Sequence, residues 1–435
     1  MASSSKAASM FRSVPRTGVI YVMAEAAKRG FRYGHPEWCN LGQGAPETGE
    51  LPDCAPRLET IELDAEVSEY AAVAGMWELR EAVAELYNHR YRRGLASRYS
   101  AENVAIASGG RVGLTRIATA LGRVNLGHVL PDYTAYEELL DVFRAFVPIP
   151  IVLHERDGFR LSPEALREAI VGSGLGAILL SNPCNPTGRL IAGEDLRRWV
   201  TTTSKLGCAL IVDEFYAHYV YGPPSLRVHG PTRGELPRSI SAAAWVEDVD
   251  RDPVVVVDGL TKNWRYPGLR LSWTVGPKSV IERVGSAGSF LDGGAPHCVQ
   301  RAALPLLEPA VADREAAAIQ RAFAAKRALM LERLAAMGIG VAGSDDGGPE
   351  GAFYCFADLR QLPEPLCDGM ALFRAALERE VICVPGAFFD VDPGKRREHI
   401  ASRLAGFVRL SFGPRIEEVE LGLTRLGELV AAARR

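Results

Sequence analysis

The chain is short of every feature that would place it in a membrane, on nucleic acid or inside a disulfide framework. No apolar run approaches the roughly 20 residues a bilayer-spanning helix needs, so a helical membrane segment is not expected. Lysine plus arginine (50) nearly balance aspartate plus glutamate (53), a net charge of −3. That balance leaves no electrostatic footprint for nucleic acid or an anionic membrane. The eight cysteines (Cys39, Cys54, Cys184, Cys208, Cys298, Cys355, Cys367, Cys383) show no C-x-x-C spacing. Reduced thiols in a cytoplasmic protein are the expectation. Met1 to Met10 is rich in Ser and Ala and lacks the continuous apolar segment of a signal peptide. What remains is a chain of 435 residues, too long for one ordinary domain and long enough to bury a large core.

Against that plain background one stretch stands out. Val254 to Val257, four valines between Pro253 and Gly259, read as a buried strand. Thr261-Lys262-Asn263-Trp264-Arg265-Tyr266-Pro267-Gly268-Leu269-Arg270 comes directly after it. Lysine forms Schiff bases with aldehydes, and a desolvated site lowers its pKa enough to make it nucleophilic. Arginine holds phosphate through a planar fork of donors. Lys262 and Arg270 together point to an aldehyde cofactor carrying a phosphate, and pyridoxal 5′-phosphate fits. A solvated lysine beside a structural arginine is the other reading of this stretch taken alone.

Two further blocks lie upstream. Ser181-Asn182-Pro183-Cys184-Asn185-Pro186-Thr187-Gly188 succeeds the apolar Ala177 to Leu180, and Asp213-Glu214-Phe215-Tyr216 succeeds Ala209 to Val212. With these three blocks in this order, each at the end of a strand, the chain resembles the fold-type I pyridoxal-phosphate-dependent aminotransferases (class I/II). The resemblance runs from about Leu41 to Arg409. It implies a large α/β domain with a mostly parallel sheet flanked by helices, plus a smaller α+β domain. The expected division is residues 1–45 as an N-terminal arm and part of the small domain, 46–305 as the cofactor domain, and 306–435 as linker helix and small domain. Strands alternating with helical stretches fit parallel βαβ units, whose ligands sit at carboxyl strand ends.

The resemblance also assigns roles. Lys262 carries the cofactor and serves as base at Cα once displaced. Asp213 keeps the pyridine nitrogen protonated; Glu214 is set aside because alternate strand positions point to opposite faces. Asn185 and Tyr216 match the residues that hydrogen-bond the 3′-oxygen, and Tyr133 falls where an aromatic ring stacks on the pyridine. Gly109, Gly110 and Arg111, at a helix start, join Thr261 and Arg270 in a phosphate cradle. Tyr136 is read as packing, as is Cys184. Gly44, in the loop Leu41 to Pro46, lets backbone approach the substrate carboxylate. Arg409, in the strand Phe407 to Phe412, pairs with that carboxylate, a geometry lysine cannot reproduce. Tyr70 matches a residue reaching the neighbour's cofactor phosphate in a homodimer. No metal is called for.

Two features depart from the family pattern. Leu271-Ser272-Trp273 comes after Arg270 where a small residue and an aromatic are usual. The segment Leu291 to His297 falls where a neighbouring subunit supplies substrate-facing residues, and it offers Asp292 beside Gly293-Gly294. An acid facing the side-chain pocket would favour a large or cationic substrate over a dicarboxylic one; a surface loop unrelated to selectivity is the alternative. Val19 to Ala27 is expected to form a short helix, an arm toward a partner, with no chemistry assigned to residues 1–40. The leading expectation is an aminotransferase, working through a lysine aldimine and a quinonoid. γ-Elimination, γ-replacement or carbon–carbon bond formation with S-adenosylmethionine uses the same residues. A ligand-sensing domain without catalysis is the third reading.

Overall fold

The computed structural model describes residues 14, 16, 18–221, 238–342 and 348–435; Met1 to Met10 lie outside them. The central sheet holds β2 (Val104–Ala107), β3 (Asn125–Leu130), β4 (Val147–Val152), β5 (Leu175–Ser181), β6 (Ala209–Asp213), β7 (Val254–Gly259) and β8 (Ser272–Val275). Their spatial order is β2-β8-β7-β6-β5-β3-β4. β4, β3, β5, β6 and β7 pair in parallel, while β8 is antiparallel to both β7 and β2. All strands but β8 therefore run the same way. Every residue of β7 is buried, as expected of a valine-rich strand covered on both faces.

Helices supply the covering. α2 (Trp77–Tyr91), α3 (Gly110–Ala120), α5 (Pro163–Ser173), α6 (Gly193–Lys205) and α7 (Lys278–Leu291) pack on the sheet's strands. The shorter α4 (Tyr136–Val142) and α8 (His297–Ala303) complete this part. α5 shows how the sequence sets its limits. Ser162 caps it by accepting from the Ala165 amide at 3.1 Å, Pro163 opens the first turn, and Gly174 closes it at φ +57°.

A second, antiparallel sheet has the order β12-β13-β10-β9, built from β9 (Gly340–Val341), β10 (Tyr354–Asp358), β12 (Val384–Pro385) and β13 (Phe407–Ser411). α10 (Gly369–Leu377) and α11 (Ile416–Ala433) accompany it. The N-terminal part joins this region: β1 (Cys39–Asn40) pairs in parallel with β11 (Val381–Ile382). α1 (Gly18–Lys28) touches β11 and β12.

α9 (Pro309–Ala336) carries two buried charges, Glu315 and Lys326, eleven residues or about three turns apart and hence on one face. Glu315 accepts from Arg265 at 2.8 Å and from Arg57 at 3.3 Å. Lys326 donates to Glu47 at 2.6 Å and to the Pro414 carbonyl at 2.5 Å. One helix face thus ties down the segment after Gly44, the segment after Lys262 and the segment after Arg409. Removing Glu315 leaves the buried Arg265 and the partly buried Arg57 without their counter-charge. Glu315→Leu is expected to lower the unfolding free energy by about 3–5 kcal/mol. Urea unfolding should show this as a lower midpoint; a loss below about 1 kcal/mol would contradict the clamp.

Candidate active site

The parallel strands deliver their carboxyl ends to one edge of the central sheet. β8 begins at the same edge, since Ser272 is paired with both Gly259 and Ala107. A cavity of about 430 Å³ opens there. Its walls include Gly44, Gly110, Arg111, Tyr133, Asn185, Asp213, Tyr216, Thr261, Lys262, Arg270 and Arg409. Residues as far apart in the chain as 44 and 409, all singled out by the sequence, thus meet at one place.

Lys262 reaches into the cavity and donates to the Gly44 carbonyl at 2.8 Å. The side chain is partly accessible because it faces that opening, with protein around it elsewhere. Burial, then the charges of Arg409, Arg270 and Arg111, pull its amine down to about 7, against an opposing pull from Asp213. Such an amine is substantially neutral near pH 7 and able to attack an aldehyde.

Asp213 stands at the last position of β6, nearly fully buried. Burial pushes its carboxyl up to about 6; hydrogen bonds from Tyr136 and the Phe215 amide, and the Lys262 charge, pull the other way. Tyr136 donates to it at 2.9 Å, so a ring expected only to pack is a partner of the key carboxylate. Glu214 points elsewhere, accepting from the Ala242 amide at 2.7 Å, as strand alternation requires.

The phosphate end has the shape of a cradle. α3 starts at Gly110, with Gly109 before it at φ +90°. A Cβ on Gly109 would come within 2.2 Å of an Arg270 terminal nitrogen, and one on Gly110 within 2.4 Å of the Phe215 ring. The positive φ at Gly109 and the Phe215 ring against Gly110 both favour glycine. Arg270 is itself at φ +51° and donates to the Pro267 carbonyl at 3.0 Å. The buried Thr261 hydroxyl has no partner among the described residues, a donor left over for a ligand. These residues fit pyridoxal phosphate: free amides at a helix start, an arginine, an orphan hydroxyl, an amine and a buried carboxylate.

At the opposite wall Arg409 is buried on β13. It donates to the Asn185 side chain at 2.7 Å and to the Gly42 carbonyl, and its guanidinium lies 4.4 Å from the Tyr354 ring centre. Its Nε has no partner among the described residues. Gly44, at φ +69°, leaves the room: a Cβ there would sit 2.5 Å from the Tyr354 hydroxyl. Tyr354 and Tyr216 share a hydrogen bond of 2.7 Å. Ser181 accepts from the Asn185 amide at 3.1 Å and donates to buried Asp132, which fixes the Asn185 turn. Tyr133 is half-buried, and its hydroxyl accepts from Arg111 at 2.9 and 3.2 Å.

Three expected residues are not among this cavity's walls: Gly109, which adjoins Gly110 and Arg270, and two that lie elsewhere. Tyr70 is 96% exposed. Asp292 caps α7, and Arg116, itself fully buried, grips both its oxygens at 2.7 and 2.9 Å. The acid expected to face a partner's side-chain pocket thus carries a counter-charge from its own chain. Sequence reasoning misses three contributors. Tyr136 sits one turn after Tyr133, a spacing that puts both rings on one side. Tyr354 lies between the Asn-Pro and Arg409 blocks, in a stretch, Pro349 to Tyr354, that resembles a recurring small-domain element but carries no site role on that ground. α1 lines the cavity with Val19, Ile20 and Met23; the apolar pattern gives the helix but not its role, which is toward its own chain's site.

Fold and site together define a pyridoxal-phosphate-dependent transferase of fold type I. The family model "Aminotransferase class I and II" matches residues 36–426. The chain belongs to the class I and II aminotransferases, whose members use pyridoxal 5′-phosphate. It is 26% identical over 389 residues to a probable aspartate/prephenate aminotransferase of Aquifex aeolicus, 89% of each chain. It is 27% identical to a valine–pyruvate aminotransferase of Mycobacterium tuberculosis, over 95% of this chain and 96% of that one. In fold it resembles aspartate aminotransferase from Thermus thermophilus with maleate, at TM-score 0.74 and 24% identity, over 99% of this chain and all of the other.

The depressed amine gives a direct test. In cofactor-free protein, reaction of Lys262 with an amine-directed aldehyde reagent should rise with pH and level off, with a midpoint near 7. Arg409→Gln removes one of the charges that lower the pKa and should move the midpoint upward. A wild-type midpoint near the ordinary lysine value of about 10.4 would show that the cavity does not perturb the amine.

Proposed function

We propose that the enzyme moves the amino group of an α-amino acid, held by its carboxylate on Arg409, to a 2-oxo acid. The observation that carries this reading is a single cavity lined by Lys262, the buried Asp213 and the buried Arg409. Bound there, the cofactor supplies an aldehyde for amino groups and a ring that accepts the electron pair left when the Cα–H bond breaks. Gly109, Gly110, Arg111, Thr261 and Arg270 would hold its phosphate, and Tyr133 would cover its ring. Asp213, oriented by Tyr136, would keep a proton on the ring nitrogen. Asn185 and Tyr216 would bind its 3′-oxygen. Lys262, neutral near pH 7, takes the proton from Cα and returns it. Arg409 fixes the substrate so that this proton lies within the lysine's reach.

We read residues 46–305 as the unit that holds the cofactor, and 1–45 with 306–435 as the smaller unit. The parallel pairing of Cys39–Asn40 with Val381–Ile382 supports this. The free cysteines support a cytoplasmic setting. We read the protein as a homodimer in which Tyr70 and the Asp292 to His297 turn complete the partner's site. Tyr70, an almost wholly exposed aromatic ring, supports that reading.

Purified enzyme incubated with single amino acids, with and without a 2-oxo acid, should show amino transfer by product mass. Products that have lost a γ-substituent without amino transfer would replace this reading with elimination chemistry. For the dimer, inactive Lys262→Ala and Tyr70→Phe chains, dissociated and reassociated together, should recover part of the activity. Verified heterodimers without any recovery would exclude a shared site.

A further inference from the structure

α1 presents two apolar faces. One is buried: Val22 and Ala26 are fully enclosed, Tyr21 packs edge-on against Phe388 at 5.6 Å, and Gly18 lies against the same ring. The other, Val19, Ile20 and Met23, lines the catalytic cavity with Tyr33 beside it; Val19 and Met23 also rest against the core, and Ile20 does not. Ile20 is left 46% exposed, an apolar surface waiting for cover.

The charged groups of the cavity are Lys262, Asp213, Arg111, Arg270 and Arg409, and each has an assignment elsewhere. Lys262 and Asp213 serve the reacting centre. Arg270 lies against Gly109 at the phosphate cradle. Arg409, beside Asn185 and Gly42, faces the α-carboxylate. Arg111 donates twice to the Tyr133 hydroxyl. Asp292 is taken by Arg116. Among the described residues that line the cavity, no acid is left for a cationic side chain, and Arg111, the cation without a ligand role of its own beyond the cradle, has its donors turned onto the Tyr133 hydroxyl.

We propose that the side-chain subsite takes an amino acid with a bulky apolar side chain, and that Ile20 and Met23 of α1 set this preference. The proposal rests on the reading that Arg409 holds the α-carboxylate, which fixes the end of the substrate pointing toward α1. Covering Ile20 and Met23 removes apolar surface from water on both partners. In an apolar pocket a single methylene alters specificity by roughly 10–200-fold.

The test uses the cofactor-loaded enzyme and steady-state kinetics. Phenylalanine, leucine or methionine should exceed aspartate and glutamate by at least about tenfold in kcat/KM. Ile20→Asp, a change at an exposed position that leaves the core intact, should lower kcat/KM for phenylalanine at least about fivefold more than for alanine. Calorimetry should show 3-phenylpropanoate binding more tightly than succinate, and Ile20→Asp weakening the first more than the second. Aspartate or glutamate as the best substrate would overturn the proposal and move Arg111 to the second carboxylate. An equal loss for phenylalanine and alanine would overturn it too. Absence of amino transfer from every amino acid would instead sink the parent reading, and the calorimetric comparison would then decide the subsite by itself.

Discussion

Four cationic side chains share one cavity with a single carboxylate, and most of the surrounding structure serves to keep them there. Lys262, Arg111, Arg270 and Arg409 face a space that only Asp213 opposes in sign. Two like charges about 4 Å apart repel by roughly 4 kcal/mol at an effective dielectric constant of about 20. The protein relieves this in two ways. It lets the lysine lose its proton, down to about 7, and it distributes the guanidinium charge onto neutral acceptors. Arg409 gives hydrogens to Asn185 and Gly42 and rests over Tyr354; Arg111 gives two to Tyr133. What remains is an excess of positive potential suited to a phosphate, which carries about −1.5 to −2 at neutral pH, and one carboxylate.

Holding that arrangement strains the chain at the lysine loop. Arg265 and Arg270 both have positive φ, 59° and 51°, a conformation that costs a non-glycine residue about 1–2 kcal/mol. The loop stays because its surroundings over-determine it. Arg265 is fastened to Glu315 and to the Glu47 and Gly49 carbonyls. Arg57 donates to the Trp264 and Arg265 carbonyls and stacks on Tyr266 at 3.7 Å. Behind the loop, Asn263 is bound by Asp258 and His218. The strain thereby turns Lys262 and Arg270 toward the same opening while Arg265, between them, points into the interior.

Much of this is legible in the sequence because it depends on strand ends. Buried strands announce themselves as apolar runs, and the residues just after such a run must lie at an edge of the sheet. Lys262, Asp213, Asn185 and Gly109 to Arg111 all obey that rule. Glycines are legible for a related reason: Gly44 and Gly109 stand where a Cβ has no room. Contacts set by tertiary packing leave no such mark. Tyr136 reads as packing although its hydroxyl meets Asp213, because nothing in a local pattern tells which way a ring's polar tip points. Asp292 looks like a free acid because its partner Arg116 lies 176 residues away in sequence. α1 is readable as a helix, but the cavity it faces is built from residues hundreds of positions downstream.

The Arg116–Asp292 pair gives the segment around Asp292 a different meaning. Arg116 is not only a counter-charge: it also donates to the Val73 carbonyl at 3.2 Å and to the Ile106 carbonyl at 2.9 Å. His297 approaches the Glu69 carbonyl at 3.2 Å, and Gln300 accepts from the Met76 amide while donating to the Ala295 carbonyl. Gly294, at φ +112°, lies where a Cβ would be 3.4 Å from Val73 Cα. The stretch around Tyr70 and the turn from Asp292 to His297 are therefore one bonded platform, anchored to α3, the same helix whose first turn forms the phosphate cradle. A surface ordered before association avoids the entropy of ordering on contact. In a proposed dimer, the platform's position would then be coupled through α3 to the geometry of its own subunit's phosphate site. Asp292 is spent inside its own chain, where its bond to Arg116 fixes the platform on α3.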